Sequence, residues 1–92
     1  MKVKIKVLDC WNGLTFDYRD GIYKTVEWCK VHVIVDERKP IPEDKSLANF
    51  IHDVIKEAIE NKKNMQGIVY AYHVRKLQNG EIRIPGVEVE FI

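Results

Sequence analysis

Three dipeptides of the Asn-Gly or Asp-Gly type occur along the chain, at Asn12-Gly13, Asp20-Gly21 and Asn79-Gly80. Each pair combines residues that readily adopt positive φ, which a tight type I′ turn between antiparallel strands requires. Each pair also lies between segments rich in apolar residues, as hairpin turns do. The sequence therefore predicts three β-hairpins.

The first two turns connect three predicted strands into a meander. Residues 2–9 alternate lysine with aliphatic residues, which is the two-residue period of a half-buried strand. Residues 14–18 form the second predicted strand and residues 22–35 form the third. The third strand would direct Cys29, Val31, Val33 and Val35 towards the protein interior.

One amphipathic helix is predicted over residues 44–63. Pro40 and Pro42 end the preceding strand, because proline lacks the backbone donor that sheets and helix interiors use. Asp44 or Ser46 is a suitable N-cap, since either side chain can accept a hydrogen bond from the first free N–H groups. Apolar residues then recur at three- and four-residue spacing on one helix face: Leu47, Phe50, Ile51, Val54, Ile55, Ala58 and Ile59.

The third turn predicts a final hairpin made of residues 67–76 and residues 82–91. Alternation along its first strand would direct Tyr70 and Tyr72 towards the helix. Because a helix connects this strand to the third strand, the two are expected to be parallel, with a right-handed crossover.

Together these elements predict an α+β fold in a single domain of residues 1–92, with the order βββαββ. One helix would cover one face of a twisted, mixed, five-stranded sheet. The order of strands in the sheet stays open, because hairpins fix neighbours only within each half of the chain. If the first and last strands are neighbours, the lysines of one would pair with Glu88 and Glu90 of the other.

Length, charge and hydropathy exclude several classes of protein. The chain has 92 residues, a length typical of one domain, and a formal net charge of +1, so binding of a polyanion would need a local basic patch. No segment approaches about 18 consecutive apolar residues, so no membrane span is predicted. The first residues alternate lysine with apolar side chains and lack the continuous apolar core of a secretory leader, which predicts a cytoplasmic location.

The two cysteines, Cys10 and Cys29, are expected to be free, buried thiols, because a reducing cytoplasm disfavours disulfides. That expectation weakens for a hyperthermophile, whose intracellular proteins carry disulfides. The sequence alone leaves open whether the two cysteines pair.

One face of the third strand would point away from the helix, and it is more apolar than a solvent-exposed surface usually is. It would carry Ile22, Lys24, Val26, Trp28, Lys30, His32 and Ile34. On the neighbouring strand, His73 and Arg75 would point to the same side. The candidate binding residues are therefore Trp28, Lys30, His32, His73 and Arg75. Because an exposed apolar patch usually marks an interface, the predicted function is a small, non-enzymatic interaction module that forms a homodimer through this face or an edge of its sheet.

Nucleic-acid binding is the first alternative function. Trp28 could stack on a base, and cations and hydrogen-bond donors would come from Lys30, His32, His73 and Arg75. Aromatic side chains flanked by basic ones on sheet surfaces act in this way in several single-strand binders. The glycine-aromatic motif of an RNA-recognition module is absent from the sequence.

Metal binding and catalysis are the remaining alternatives. Cys29 and His32 are spaced as metal ligands can be, but positions three apart on a strand point to opposite faces. No metal ligand or cofactor is therefore predicted. The order of Asp20, Glu37 and Lys39 is similar to the core of metal-dependent nucleases, which leaves a nuclease-like hydrolase as a third reading. A run of charges in a solvated loop explains the same residues, and no catalytic residue is predicted.

Overall fold

The structure is a computed structural model that describes residues 1–40, 47–48 and 50–92. The described elements, in chain order, are β1 (Lys2–Asp17), β2 (Ile22–Ile34), β3 (Leu47–Ala48), α1 (Ile51–Asn61), β4 (Met65–Tyr70), α2 (Ala71–Gln78) and β5 (Glu88–Phe91). Among these, no helix is long and apolar enough to cross a membrane.

The strands form one mixed sheet in the order β3-β4-β2-β1-β5. β1 and β2 are unusually long, with 16 and 13 residues, whereas β3 is a two-residue strand at one edge. β2 is antiparallel to both β1 and β4, whereas β5 is parallel to β1 and β3 is parallel to β4. The predicted α+β class with a mixed sheet is confirmed, but the predicted order βββαββ and the single helix are wrong.

Both described helices pack against the same face of the sheet. The shared core contains Val3, Ile5, Cys29, Val31, Val33 and Val69 from the sheet, Ile51, Val54, Ile55 and Ala58 from α1, and Ala71, Val74 and Leu77 from α2. The α1 residues of this core belong to the predicted apolar stripe, which is confirmed within α1. Phe50, also predicted in the stripe, precedes the helix and is 50% exposed. The other face of the sheet carries no helix in the described ranges, and we call it the helix-free face.

The predicted start of the helix differs from the structure. The candidate caps Asp44 and Ser46 lie outside the described residues. Leu47 and Ala48 belong to β3 instead of the helix, because their backbone pairs in parallel with Gly67 and Ile68 of β4.

The predicted turn at Asn12-Gly13 is wrong, because β1 runs through it as one continuous strand. Gly13 has a local role there, since the indole of Trp28 lies against it. A Cβ atom added at Gly13 would lie 3.0 Å from Cδ1 of Trp28. A chain reversal at Asp20-Gly21 is confirmed, but the predicted type I′ turn is wrong. Only Gly21 has a positive φ, of 68°, and its N–H donates to the carbonyl of Asp17 at 2.8 Å, so a four-residue loop connects Asp17 to Ile22.

The predicted final hairpin is also wrong. The chain leaves the sheet after Tyr70 and forms α2, because Ala71, Val74 and Leu77 share a helical face that is buried against the core. The Asn79-Gly80 pair ends this helix, with Gly80 at a φ of 83°, so the same positive-φ signal terminates a helix.

The last strand joins the opposite side of the sheet from the one expected. β5 pairs with β1 and not with β4, and β2 and β4 are antiparallel where a parallel pair was predicted. The conditional prediction of lysine–glutamate pairs between the first and last strands is confirmed. Lys2 lies opposite Glu88 and Lys4 opposite Glu90, and Nζ of Lys2 is 3.1 Å from Oε2 of Glu90.

Cys10 and Cys29 form a disulfide, so the prediction of two free thiols is wrong. The two residues face each other across β1 and β2, with their Cα atoms 4.2 Å apart. A turn at Asn12-Gly13 would have set Cys10 opposite Thr15 instead, which is why the sequence analysis did not bring the thiols together. Cys29 is buried, whereas Cys10 is exposed.

Candidate interaction surface

β1 and β2 extend well beyond the rest of the sheet. β5 pairs with β1 over residues 2–5, and β4 pairs with β2 over residues 28–33. Residues 10–27 therefore form a two-stranded ribbon with no further strand beside it among the described residues, and we call this ribbon the arm. The disulfide between Cys10 and Cys29 lies at its base.

A β-bulge separates the arm from the core. The pairing register of β1 with β2 shifts between Val7 and Asp9, which leaves Leu8 as the extra residue. Such a bulge increases the local twist and bends the strand, and it reverses which side of the strand each later residue faces. The arm consequently starts just after this bulge, beyond the end of the β1–β5 pairing at Ile5.

The arm concentrates the exposed apolar surface of the molecule. Six of the eleven large apolar side chains exposed in the described chain belong to it: Trp11, Leu14, Phe16, Tyr18, Ile22 and Tyr23. Leu14 is 70% exposed and Tyr23 is 68% exposed. The ring of Phe16 packs edge-on against Tyr18 and Tyr23, at centroid distances of 4.9 and 5.1 Å. Alternation places Leu14 and Phe16 on the same side of the ribbon as the disulfide.

Charges on the arm lie at its tip and along β2. Residues 10–16 include no charged side chain, and the arm as a whole has three carboxylates against two cations. Nζ of Lys24 lies 2.8 Å from Asp17 and 2.7 Å from Asp20. The hydrogen bond to Lys24 lowers the pKa of Asp17, and those to the two carboxylates raise the pKa of Lys24. The cation of Lys24 is thus neutralised within the tip.

The helix-free face holds three of the five predicted binding residues. Trp28, Lys30 and His32 alternate along β2, opposite Tyr70, Ile68 and Gln66 of β4. The indole of Trp28 is half-buried and stacks on the ring of Tyr70, with centroids 4.4 Å apart and planes 21° apart. Tyr70 therefore lies on the helix-free face, and the prediction that it packs under the helix is wrong.

His32 is almost completely covered by its neighbours on this face. It is 8% exposed, its Nε2 contacts the side-chain amide of Gln66, and its Nδ1 has no partner in the described chain. Burial lowers the pKa of His32, and the nearby charges of Lys30 and Lys6 lower it further. At neutral pH this side chain is therefore uncharged and supplies no cation to the face.

His73 and Arg75 were predicted to lie on a strand and to point to the helix-free face. The structure places both residues on α2 instead. Their placement follows from the end of β4 at Tyr70, since α2 packs on the opposite side of the sheet. The guanidinium of Arg75 pairs with the carboxylate of Glu27. His73 lies between Tyr70 and Phe50, at ring-centroid distances of 5.6 and 5.3 Å, and burial is the main cause of its lowered pKa.

The residues considered for metal binding and hydrolysis do not assemble. In the described ranges, no group of three or more His, Cys, Asp or Glu side chains is placed to hold a metal ion. Asp20 and Glu37 lie beyond opposite ends of β2. Asp20 pairs with Lys24, and Glu37 pairs with Lys4.

Comparisons of this chain with protein-family models, with curated proteins and with solved structures find no match. The function is therefore inferred from the geometry of the chain itself. The arm was not predicted from the sequence, although one signal for it is present: residues 10–16 combine aromatic, β-branched and leucine side chains without a charge.

Proposed function

We propose that this protein is a self-associating interaction module and that the arm is its contact surface. The observation that carries the proposal is the clustering of exposed apolar side chains on the arm, described above. Burial of such surface is favourable by about 25 cal/mol per Å², and aromatic side chains are enriched at the centres of interfaces. A ribbon of this composition is a surface that association would cover.

The arm is a better contact surface than the helix-free face. On that face, the indole of Trp28 is already stacked on Tyr70. The lysines at its other end are also engaged, since Lys2 pairs with Glu90 and Lys4 pairs with Glu37. The arm has no comparable cover on Leu14 or Tyr23 among the described residues.

Nucleic-acid binding stays the second candidate, favoured by the stacked Trp28 and Tyr70 beside Lys30. Nucleic-acid binding needs cations, and this face has few that are free among the described residues. His32 has a lowered pKa, and Arg75 pairs with Glu27. A salt-sensitive affinity for single-stranded oligonucleotides that Trp28→Ala abolishes would establish this function.

The proposal is tested by a charge placed on the arm. Leu14→Glu puts a carboxylate at the centre of the apolar ribbon, where burial in an interface would leave it unpaired. We expect light scattering after size exclusion to give a dimer mass for the natural chain and a monomer mass for Leu14→Glu, with association weakened at least about tenfold.

Tyr72→Glu is the matched control, because Tyr72 is a 59% exposed aromatic residue on α2 and not on the arm. This variant should associate like the natural chain. A natural chain that stays monomeric at every concentration, or equal dissociation of both variants, contradicts the proposal.

A further inference from the structure

We infer that two copies of this chain pair edge to edge through residues 12–16 of β1, antiparallel, about a two-fold axis at Leu14. This inference rests on the proposed function and specifies how the arm makes the contact. It follows from the direction of the backbone groups, from the charges along each strand edge and from the symmetry of the free positions.

The backbone of β1 changes direction at the bulge. Before the bulge, odd-numbered residues face β5: the carbonyl of Ile5 accepts from the N–H of Ile92 at 2.9 Å. The extra residue Leu8 then reverses the alternation. After the bulge, even-numbered residues should therefore direct their N–H and C=O groups away from β2.

Cys10 confirms this direction. Its Cα lies 4.2 Å from that of Cys29, close to the spacing of about 4.5 Å for antiparallel partners that do not hydrogen-bond to each other. Its N–H donates instead to Oδ1 of Asp9 at 2.9 Å. By the same alternation, the main-chain groups of Asn12, Leu14 and Phe16 point to the open edge of the arm.

The β1 edge of the arm has no charged side chain over residues 10–16, unlike the open edge of β5 and the β2 side of the arm. The open edge of β5 carries Glu88 and Glu90, and the β2 side of the arm carries Lys24 and Glu27. Charged side chains on an edge strand discourage pairing with another strand. Residues 10–16 of β1 have none, so a second copy of the same edge would meet no like-charge repulsion there.

The free positions also select a register. Because Asp9 already accepts from the N–H of Cys10, the unoccupied donors on the β1 edge of the arm lie at Asn12, Leu14 and Phe16, symmetrically about Leu14. A two-fold axis there sets Leu14 opposite Leu14 of the second copy and Asn12 opposite Phe16. This pairing makes about six main-chain hydrogen bonds and joins the two arms into a four-stranded sheet.

The same pairing covers the exposed side chains. Leu14 and Phe16 of both copies would lie on one face of the joined sheet, next to the two Tyr23 rings. Because each copy uses the same edge, the contact is closed and yields a dimer, not a fibre.

An engineered thiol tests the register. All described cysteines of the chain are in the disulfide, so Leu14→Cys adds the one free thiol. At the axis, two such residues would lie about 5.5 Å apart, within the range that a disulfide bridges. Asn12→Cys is the matched control on the same edge and face, since its two copies would lie about 14 Å apart. Mild oxidation should give a covalent dimer of Leu14→Cys and none of Asn12→Cys.

Hydrogen exchange of the natural chain provides the second measurement, because Leu14→Cys removes part of the contact. The amides of Asn12, Leu14 and Phe16 should exchange slowly in concentrated samples and rapidly in dilute ones. Those of Trp11, Gly13 and Thr15, which face β2, should be slow in both.

The two proposals fail differently. A dimer in which the three even-numbered amides keep their dilute-sample exchange rates, or in which Asn12→Cys cross-links and Leu14→Cys does not, overturns the edge pairing and leaves self-association standing. A chain that is monomeric at all concentrations overturns both.

Discussion

His32 shows how a polar side chain on a sheet surface can be enclosed by its neighbours. It is 8% exposed although no described helix covers its side of the sheet. Gln66 and neighbouring strand residues cover the ring instead. Burial disfavours its charged form, and Lys30 and Lys6 add like charge, so the pKa of His32 in the folded chain is lowered.

The lowered pKa predicts a loss of stability in mild acid. Between the unfolded value of about 6.5 and the lower folded value, the unfolded chain binds more protons, so stability rises with pH. The contribution is complete above pH 6.5 and is lost as the pH falls through the folded pKa. We therefore expect urea unfolding at pH 7.5 and 5.5 to show that His32→Gln loses less unfolding free energy on acidification than the natural chain.

Burial also lowers the pKa of His73. The free energy of unfolding of the double variant His32→Gln/His73→Gln should therefore change even less between the two pH values. If His32→Gln loses as much stability between the two pH values as the natural chain, the described environment of His32 is wrong.

The arm is an element whose base is fixed by a covalent bond. The disulfide joins positions 19 apart in sequence, at the point where β5 and β4 stop supporting β1 and β2. Two-stranded ribbons alone are marginally stable. The disulfide limits how far the two strands of the arm can separate from each other.

Reduction of this disulfide should destabilise the chain by about 3 kcal/mol, the value expected from loop-closure entropy for a loop of this size. Urea unfolding with and without dithiothreitol measures the difference. The Cys10→Ala/Cys29→Ala double variant controls for effects of the reductant, since it should give the same curve in both conditions. An identical curve for the natural chain in both conditions would contradict the stabilising role.

The sequence could predict those elements whose signals are local. The apolar stripe within α1 and the chain reversal at Asp20-Gly21 were predicted, because helical spacing and a glycine at positive φ act within a few residues. Asn12-Gly13 carries the same turn signal, but Trp28 packs against Gly13 from the neighbouring strand. That contact depends on pairing with a distant segment, so local reasoning could not distinguish the two pairs.

The predicted binding face forms only in part, for related reasons. Strand alternation correctly grouped Trp28, Lys30 and His32 on one face of β2. His73 and Arg75 were assigned to that face because the period of two in the tyrosine-rich segment hid the helical spacing of α2. The arm was missed because the false turn divided β1 in two.

At the scale of the whole molecule, the fold is a small core with a projecting ribbon. The molecule measures 43 × 29 × 21 Å along its principal axes. The strand of the arm, residues 10–17, is about 27 Å long. The core buries its apolar residues under two helices, whereas the arm leaves its own apolar residues exposed. On this division we base the proposal that the core provides stability and the arm provides association.

The most direct test of this division is a dilution series followed by two-dimensional ¹H–¹⁵N NMR between micromolar and millimolar concentrations. We expect concentration-dependent shifts to be confined to the arm, residues 10–27, while the amides of α1 and α2 stay constant. Spectra that do not change with concentration, or shifts that cluster around Trp28 and His32 while the arm stays constant, would contradict it.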